Sequence, residues 1–232
     1  MTCILGIETA TPFLSVAVVA AEGLLAERSV LGARLHSVRL VPFIRKTLAE
    51  AGVRLSDLSG IAVSSGPGSF TGLRLGMITA KTLAQVLQIP VVGIPTLLAL
   101  AAPLLPGETP VCAVLASRRE EVYAAVYGST RNGGRALVPA FAASPAAVAE
   151  RLKPFDRVVL TGEGAWAWRE AFHGVLGSGA VFAPEVLQYP CGAVVAALGL
   201  AELGSGGGTD PLALRPEYLR PPAITGGSAK NG

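Results

Sequence analysis

Charge is scarce in this chain. Only 15% of its 232 residues are charged and 51% are apolar, whereas about a quarter of an average protein is charged. A disordered chain is thereby excluded, because such chains are rich in charge and poor in aliphatics. Histidine is scarcer still: His36 and His173 are the whole complement. They lie too far apart for a local zinc motif, and neither CxxC nor HExxH occurs. The three cysteines, Cys3, Cys112 and Cys191, are odd in number and scattered among apolar neighbours. Buried reduced thiols are expected, not a disulfide framework. The lysine of a Walker loop and the GxGxxG fingerprint are both missing. No long unbroken apolar run occurs either. Residues 82–107 carry no charge, but Pro90, Pro95, Pro103 and Pro106 interrupt them, with Gln85 and Gln88. A membrane span needs about 20 continuous apolar residues. No basic leader precedes the first strand, so the expectation is a soluble cytoplasmic chain without membrane attachment. The net charge of +3 permits contact with a polyanion but does not argue for one.

What is present reads as alternating strands and helices. Cys3–Ile7, Phe13–Ala20 and Leu24–Val30 are predicted strands, the last two joined by a tight turn at Glu22-Gly23. Leu40, Ile44, Leu48 and Ala51 recur at helical spacing, which predicts a helix from about Ser37 to Ala51 that starts late or kinks at Pro42. Ile61–Ser64 is a strand, Thr71–Leu87 a helix and Pro90–Ile94 another strand. This order describes a mixed-sheet α/β lobe. A Pro/Gly-rich stretch near 101–110 marks a boundary. Strands at Val111–Leu115, Val122–Tyr127 and Arg135–Phe141 then follow, with a helix opened by Ser144-Pro145 and a strand at Val158–Leu160. The element order thus begins again, as in a duplicated lobe. The predicted division is a first lobe over 1–105, a second over 106–222 and a flexible tail over 223–232, with a glycine-rich linker at Gly204–Gly208.

Three motifs carry chemistry. The first, Gly6-Ile7-Glu8-Thr9-Ala10-Thr11, ends a strand in an acid and turns through hydroxyl residues. Glu8, Thr9 and Thr11 are candidates for holding a phosphate or its metal; a polar hairpin turn is the alternative. The second, Ser64-Ser65-Gly66-Pro67-Gly68-Ser69-Phe70-Thr71-Gly72-Leu73-Arg74, leads from a strand through glycines to a helix N-terminus. Free N–H groups and the helix dipole favour an anion there, at Gly66, Gly68 and Ser69. The alternative is a turn that needs glycine for its geometry. In the third, Gly72, Gly76, Ala80 and Ala84 recur every fourth residue, a ridge of small side chains on a helix apolar around most of its circumference. Such a helix packs on two sides. One side can face its own sheet; the other needs a partner, from this chain or another. No set of carboxylates, nucleophile or base accompanies these motifs, which favours binding or scaffolding over catalysis.

Together these residues resemble the TsaB (YeaZ) family: Ile4–Thr11, Leu35-His36-Ser37 with Leu40-Val41-Pro42, the run Gly66–Gly76, Glu121-Val122-Tyr123, and Pro216-Glu217-Tyr218-Leu219-Arg220. The resemblance implies two actin-like, ribonuclease H-like lobes of the ASKHA superfamily, each a mixed sheet flanked by helices. It implies a non-catalytic subunit in the making of threonylcarbamoyladenosine next to the tRNA anticodon. Its partners would be the catalytic paralogue TsaD and the ATPase TsaE, with a homodimer when alone and tRNA reached only through the complex. No metal is expected, because Thr96–Ala101 lacks the histidine pair that TsaD carries there. No cofactor is expected for catalysis; ATP or ADP would sit at the joint with TsaD or on this chain itself. The resemblance assigns the two first-lobe helices to the partner contact, with His36, Leu40, Ile44, Phe70, Gly72, Leu73, Gly76, Met77 and Ala80 as its candidate residues. Two positions depart from the family: Glu8 stands where aspartate is usual, and Ala116-Ser117-Arg118 where Asp-Ala-Arg is usual. A small ASKHA-type ATP-dependent phosphotransferase is the alternative reading, and a peptidase a weaker one.

Overall fold

The computed structural model describes residues 2–118, 120–130 and 133–220. The tail predicted over 223–232 lies outside them. Five strands form a first sheet: β1 (Cys3–Glu8), β2 (Phe13–Ala20), β3 (Gly23–Leu31), β4 (Gly60–Gly66) and β5 (Val91–Pro95), in the order β3-β2-β1-β4-β5. β1 is antiparallel to β2 and parallel to β4, and β4 is parallel to β5. A second sheet holds β6 (Val111–Ala116), β7 (Val122–Thr130), β8 (Gly133–Ala143), β9 (Val158–Thr161) and β10 (Ala180–Phe182). Read from β8, its order is β8-β7-β6-β9-β10, the same as that of the first sheet. Its antiparallel and parallel pairs also fall in the same places. The duplication expected from element order is therefore present in strand topology.

Strand alternation decides what each face holds. In β1, Cys3, Leu5 and Ile7 share a core with Leu40, Ile44 and Leu48 of α1 (His36–Glu50) and with Met77, Ala80 and Ala84 of α2 (Phe70–Leu87). The intervening Ile4 faces the other way, in a core with Val195 and Ala196 of α7 (Gly192–Gly204). β1 is buried along its whole length, as a central strand covered on both faces should be. The second sheet is sandwiched likewise. Cys112 and Val114 pack with α4 (Pro145–Leu152), α5 (Glu163–Ala167) and α6 (Arg169–Leu176), while Val111, Ala113 and Leu115 pack with α3 (Thr96–Ala101).

The covering helices depart from the predicted division at 105/106. α3, the last helix of the first block, lies on the second sheet, and α7, late in the second block, lies on the first. Each lobe lends the other one covering helix. α7 is anchored at its start by first-sheet side chains: Gly192 N–H donates to Ser15 Oγ at 2.8 Å, and Ala193 N–H to Glu27 Oε1 at 3.1 Å. A carboxylate at a helix N-terminus also meets the positive end of its dipole.

Several elements match their expected bounds closely, including β2 and α4. α3, α5, α6, β10 and α7 had not been predicted. Pro42 does not shorten or split α1, which runs unbroken from His36; this proline lies on the exposed side, where water can satisfy the carbonyl it leaves free. Cys3 and Cys112 are buried, Cys191 is half-buried and none is bridged. Burial pushes the Cys112 thiol up to about 12. No helix among the described residues is long and apolar enough to cross a membrane.

Candidate functional site

β1, β4 and β6 run toward a common cleft of about 520 Å³ between the lobes. Its first-lobe wall is the β1–β2 turn with the Gly68-Ser69-Phe70 entry to α2; its second-lobe wall is Ala116-Ser117-Arg118, Tyr123 and Glu163. A third wall comes from Glu217-Tyr218-Leu219-Arg220.

Glu8 ends β1 and is fully buried. Its Oε1 accepts the N–H of Ala10 at 2.7 Å and that of Thr11 at 3.2 Å, while Oε2 accepts the Ser64 hydroxyl. Burial raises its pKa to about 7, against the pull of these hydrogen bonds. The donors that a phosphate would use in this turn are already engaged by the chain's own carboxylate. Thr9 is buried too, its hydroxyl donating to Gly72 O at 2.9 Å. Thr11 lines the cleft, and the His36 ring donates from Nε2 to its carbonyl at 2.9 Å.

The glycine motif is equally occupied. Ser69 N–H donates to Ala10 O at 2.7 Å, and Ser69 Oγ caps α2 by accepting Gly72 N–H at 3.3 Å. Gly66 has φ +123° and its N–H donates to Thr96 Oγ1 at 3.2 Å. A Cβ on Gly66 would collide with Glu217 O, whose own N–H donates to Ser65 O at 2.7 Å. Of the six candidate phosphate residues, Thr11, Gly68 and Ser69 therefore line the cleft, while Glu8, Thr9 and Gly66 lie beneath it. The N–H groups of Ala10, Thr11, Gly66, Ser69 and Gly72 are thus engaged inside the chain.

The segment 209–220, of which only Pro216–Arg220 had been singled out, works as a strap. Thr209 bridges to Val91 at the β5 edge, and Leu214 is buried against the first core. Tyr218 packs on Phe70 with ring centroids 5.3 Å apart, and Arg74 lies 3.9 Å above the Phe70 ring. Arg220 reaches Glu121 of the second lobe at 2.7 Å. One further contact joins the lobes: Phe13 stacks on Tyr189 at 5.7 Å, and Tyr189 in turn hydrogen-bonds Glu163, whose pKa is raised by burial. Nothing in the local spacing marks Glu163 or the strap as cleft residues.

The candidate interface residues require a correction. Gly72, Leu73, Gly76, Met77 and Ala80 of α2, and His36, Leu40 and Ile44 of α1, are all buried within this chain. Only Phe70 is partly exposed. The small-residue ridge serves close approach of α2 to its own first strand: a Cβ on Gly72 would collide with Thr9 O, and one on Gly76 with Thr9 Oγ1. The outward faces belong to other residues. Val38 and Val41 of α1 are 62% and 64% exposed, and Ile78 and Val86 of α2 are 64% and 74%.

Comparison with known proteins follows this geometry. The family model described as TsaD, tRNA N6-adenosine threonylcarbamoyltransferase, matches residues 30–168. A Bacillus subtilis protein named tRNA threonylcarbamoyladenosine biosynthesis protein TsaB is 31% identical over 218 residues, 94% of this chain and 93% of that one. The chain belongs to the TsaB family. A solved structure of YeaZ from Pseudomonas aeruginosa superposes with a TM-score of 0.80 at 29% identity, over 94% of this chain and all of the other. An uncharacterized Mycobacterium tuberculosis protein is 40% identical over 129 residues, which is 55% of this chain and 60% of that protein's length. A Thermus thermophilus ROK hexokinase, at TM-score 0.53 and 15% identity over 87% of this chain and all of that one, shares the fold alone. The two mixed sheets of this TsaB-family chain are thus the paired lobes of the actin-like ASKHA fold.

Proposed function

We propose that this chain is a non-catalytic, activating subunit for N6-threonylcarbamoylation of the tRNA adenosine next to the anticodon. It pairs with a TsaD-like catalytic paralogue, a TsaE-like ATPase joins the pair, and tRNA is reached through the complex. The assembly is cytoplasmic. The observation that carries this reading is the outward apolar face of α1 and α2, where Val38, Val41, Ile78 and Val86 are each more than three-fifths exposed. Large exposed aliphatics gathered on one layer mark a contact surface. The same face serves self-association when the partner is absent.

The cleft supports the non-catalytic part. Glu8, the acid that a phosphotransferase would aim at substrate or metal, is closed onto Ala10, Thr11 and Ser64. Its counterpart in the duplicated topology is Ala116, which has no group to offer. In this reading ATP or ADP sits at the joint with the partner, since Glu8 and the N–H groups of its turn are already engaged with each other.

The test is light scattering on this chain mixed with the TsaD-like protein of the same source. A heterodimer that is lost in Ile78→Glu and in Val41→Asp, with melting temperatures unchanged, is the expected result. A stable complex indifferent to both variants overturns the placement, and no complex at all overturns the function.

A further inference from the structure

Charge on the α1–α2 layer is one-sided. Arg34 stands one turn before Val38 and Arg45 one turn after Val41, while Arg39 and Lys46 lie on the other flank of α1; all four are exposed. None of the four makes an ion pair among the described residues. α2 contains no aspartate or glutamate, and Arg74 lies at its start over Phe70. The acids at the margins of the layer are engaged elsewhere: Glu50 pairs with Arg28, Asp57 with Arg54, and Asp210 Oδ1 accepts the Leu212 N–H at 2.8 Å. The surface is thus an apolar centre with a positive rim and no free negative charge of its own.

We propose that this rim selects the occupant: a protein whose docking face has an apolar centre ringed by carboxylates, in preference to a second copy of this chain. The inference rests on the function proposed above and names the chemistry of the same surface. In a two-fold self-contact the same patch meets itself. Every charged group brought near the seam would then be positive, and like-charge juxtaposition across an interface is costly. An acidic rim on the partner reverses that sign. The exposed Val and Ile side chains favour a protein over a nucleic acid, which offers phosphates to the arginines but nothing to four aliphatic side chains.

The two contacts should answer salt in opposite directions. Raising sodium chloride from about 50 mM to about 500 mM shortens the screening length severalfold. Self-association of the full chain should strengthen, while the complex with the TsaD-like paralogue should weaken by about tenfold or more. The triple variant Arg39→Glu/Arg45→Glu/Lys46→Glu should lose that complex by a similar factor at low salt. Mixed with wild type, it should form a hybrid dimer tighter than either homodimer. The inference is overturned if the complex ignores both salt and the triple variant yet still breaks with Ile78→Glu, in which case the partner reading stands. Loss of neither complex nor dimer with any of these variants overturns both. Transfer RNA that binds the isolated chain, and is released by the triple variant while the protein complex is untouched, also overturns it and assigns the rim to nucleic acid.

Discussion

The same five-strand topology occurs twice, but the two turns that face the cleft are built differently. After β1 the chain turns on Glu8, whose carboxylate gathers two backbone N–H groups and the Ser64 hydroxyl under complete burial. After β6 the equivalent residue is Ala116, which has no side-chain oxygen; Ser117 N–H donates to Glu121 O at 3.1 Å and Glu121 N–H to Arg118 O at 2.7 Å, and the carboxylate that meets the Ala116 backbone is that of Glu163, brought by α5. One turn is held by its own fully buried carboxyl group; the other is more exposed and meets a carboxyl group from another element. A carboxylate with three donors can fix a turn firmly, but it does so at the cost of desolvation. The first lobe thus uses this turn as an internal brace.

Breaking the packing behind the braced turn should give the largest effect. Gly76→Val would press two methyl groups and a Cβ into Thr9 Oγ1. A destabilisation of about 4 kcal/mol or more is expected for such overpacking against a fixed strand, read as loss of a cooperative melt. The pH response should come next. Glu8 has a folded pKa near 7 and an ordinary value of 4.5, so the folded state holds its proton more tightly than the unfolded chain. The stabilisation is therefore full below pH 4.5 and is lost as pH rises through 7, of the order of 3 kcal/mol over that window. Glu8→Gln should flatten this part of the stability–pH curve in chemical denaturation, whereas an Ala116 variant should leave it unaltered. Smallest should be the latch of the strap. Arg220–Glu121 is an exposed pair of 2.7 Å, so Arg220→Ala should cost less than about 1 kcal/mol. A much larger loss in differential scanning calorimetry would mean that the lobes depend on the strap for their relation.

Legibility in the sequence followed periodicity. β2 is eight residues of apolar and β-branched character between turn signals, and α4 carries Ser144 as cap and Pro145 at its first position, so both are marked locally. α7 carries no such mark. Gly192–Gly204 is apolar on nearly every side, with one face on the first sheet and small residues such as Ala197 and Ala201 on the exposed one, and such a helix has no amphipathic period. α3 is six residues long and proline-flanked, too short for a period to show. The ridge of Gly72, Gly76 and Ala80 was legible as a close approach, but its direction was not. Spacing shows that a helix face is small; only the fold shows that Thr9 is what approaches it. The cleft was half legible for the same reason. Thr11, Gly68 and Ser69 lie in local motifs, whereas Glu163 and the end of the strap come to the cleft from far along the chain.

The exchange of α3 and α7 has a consequence for the order of synthesis. The first sheet is translated early, and α1 and α2 can cover one of its faces at once. The opposite face, with Ile4, Ala62 and Val92, is met only by Ala99 of α3 until Gly192–Gly204 leaves the ribosome. Domains that fold from the N-terminus as they emerge can do so here only in part. The nascent chain must carry an open apolar sheet through most of its own production, and a late stall in translation would leave that sheet available to whatever else is near.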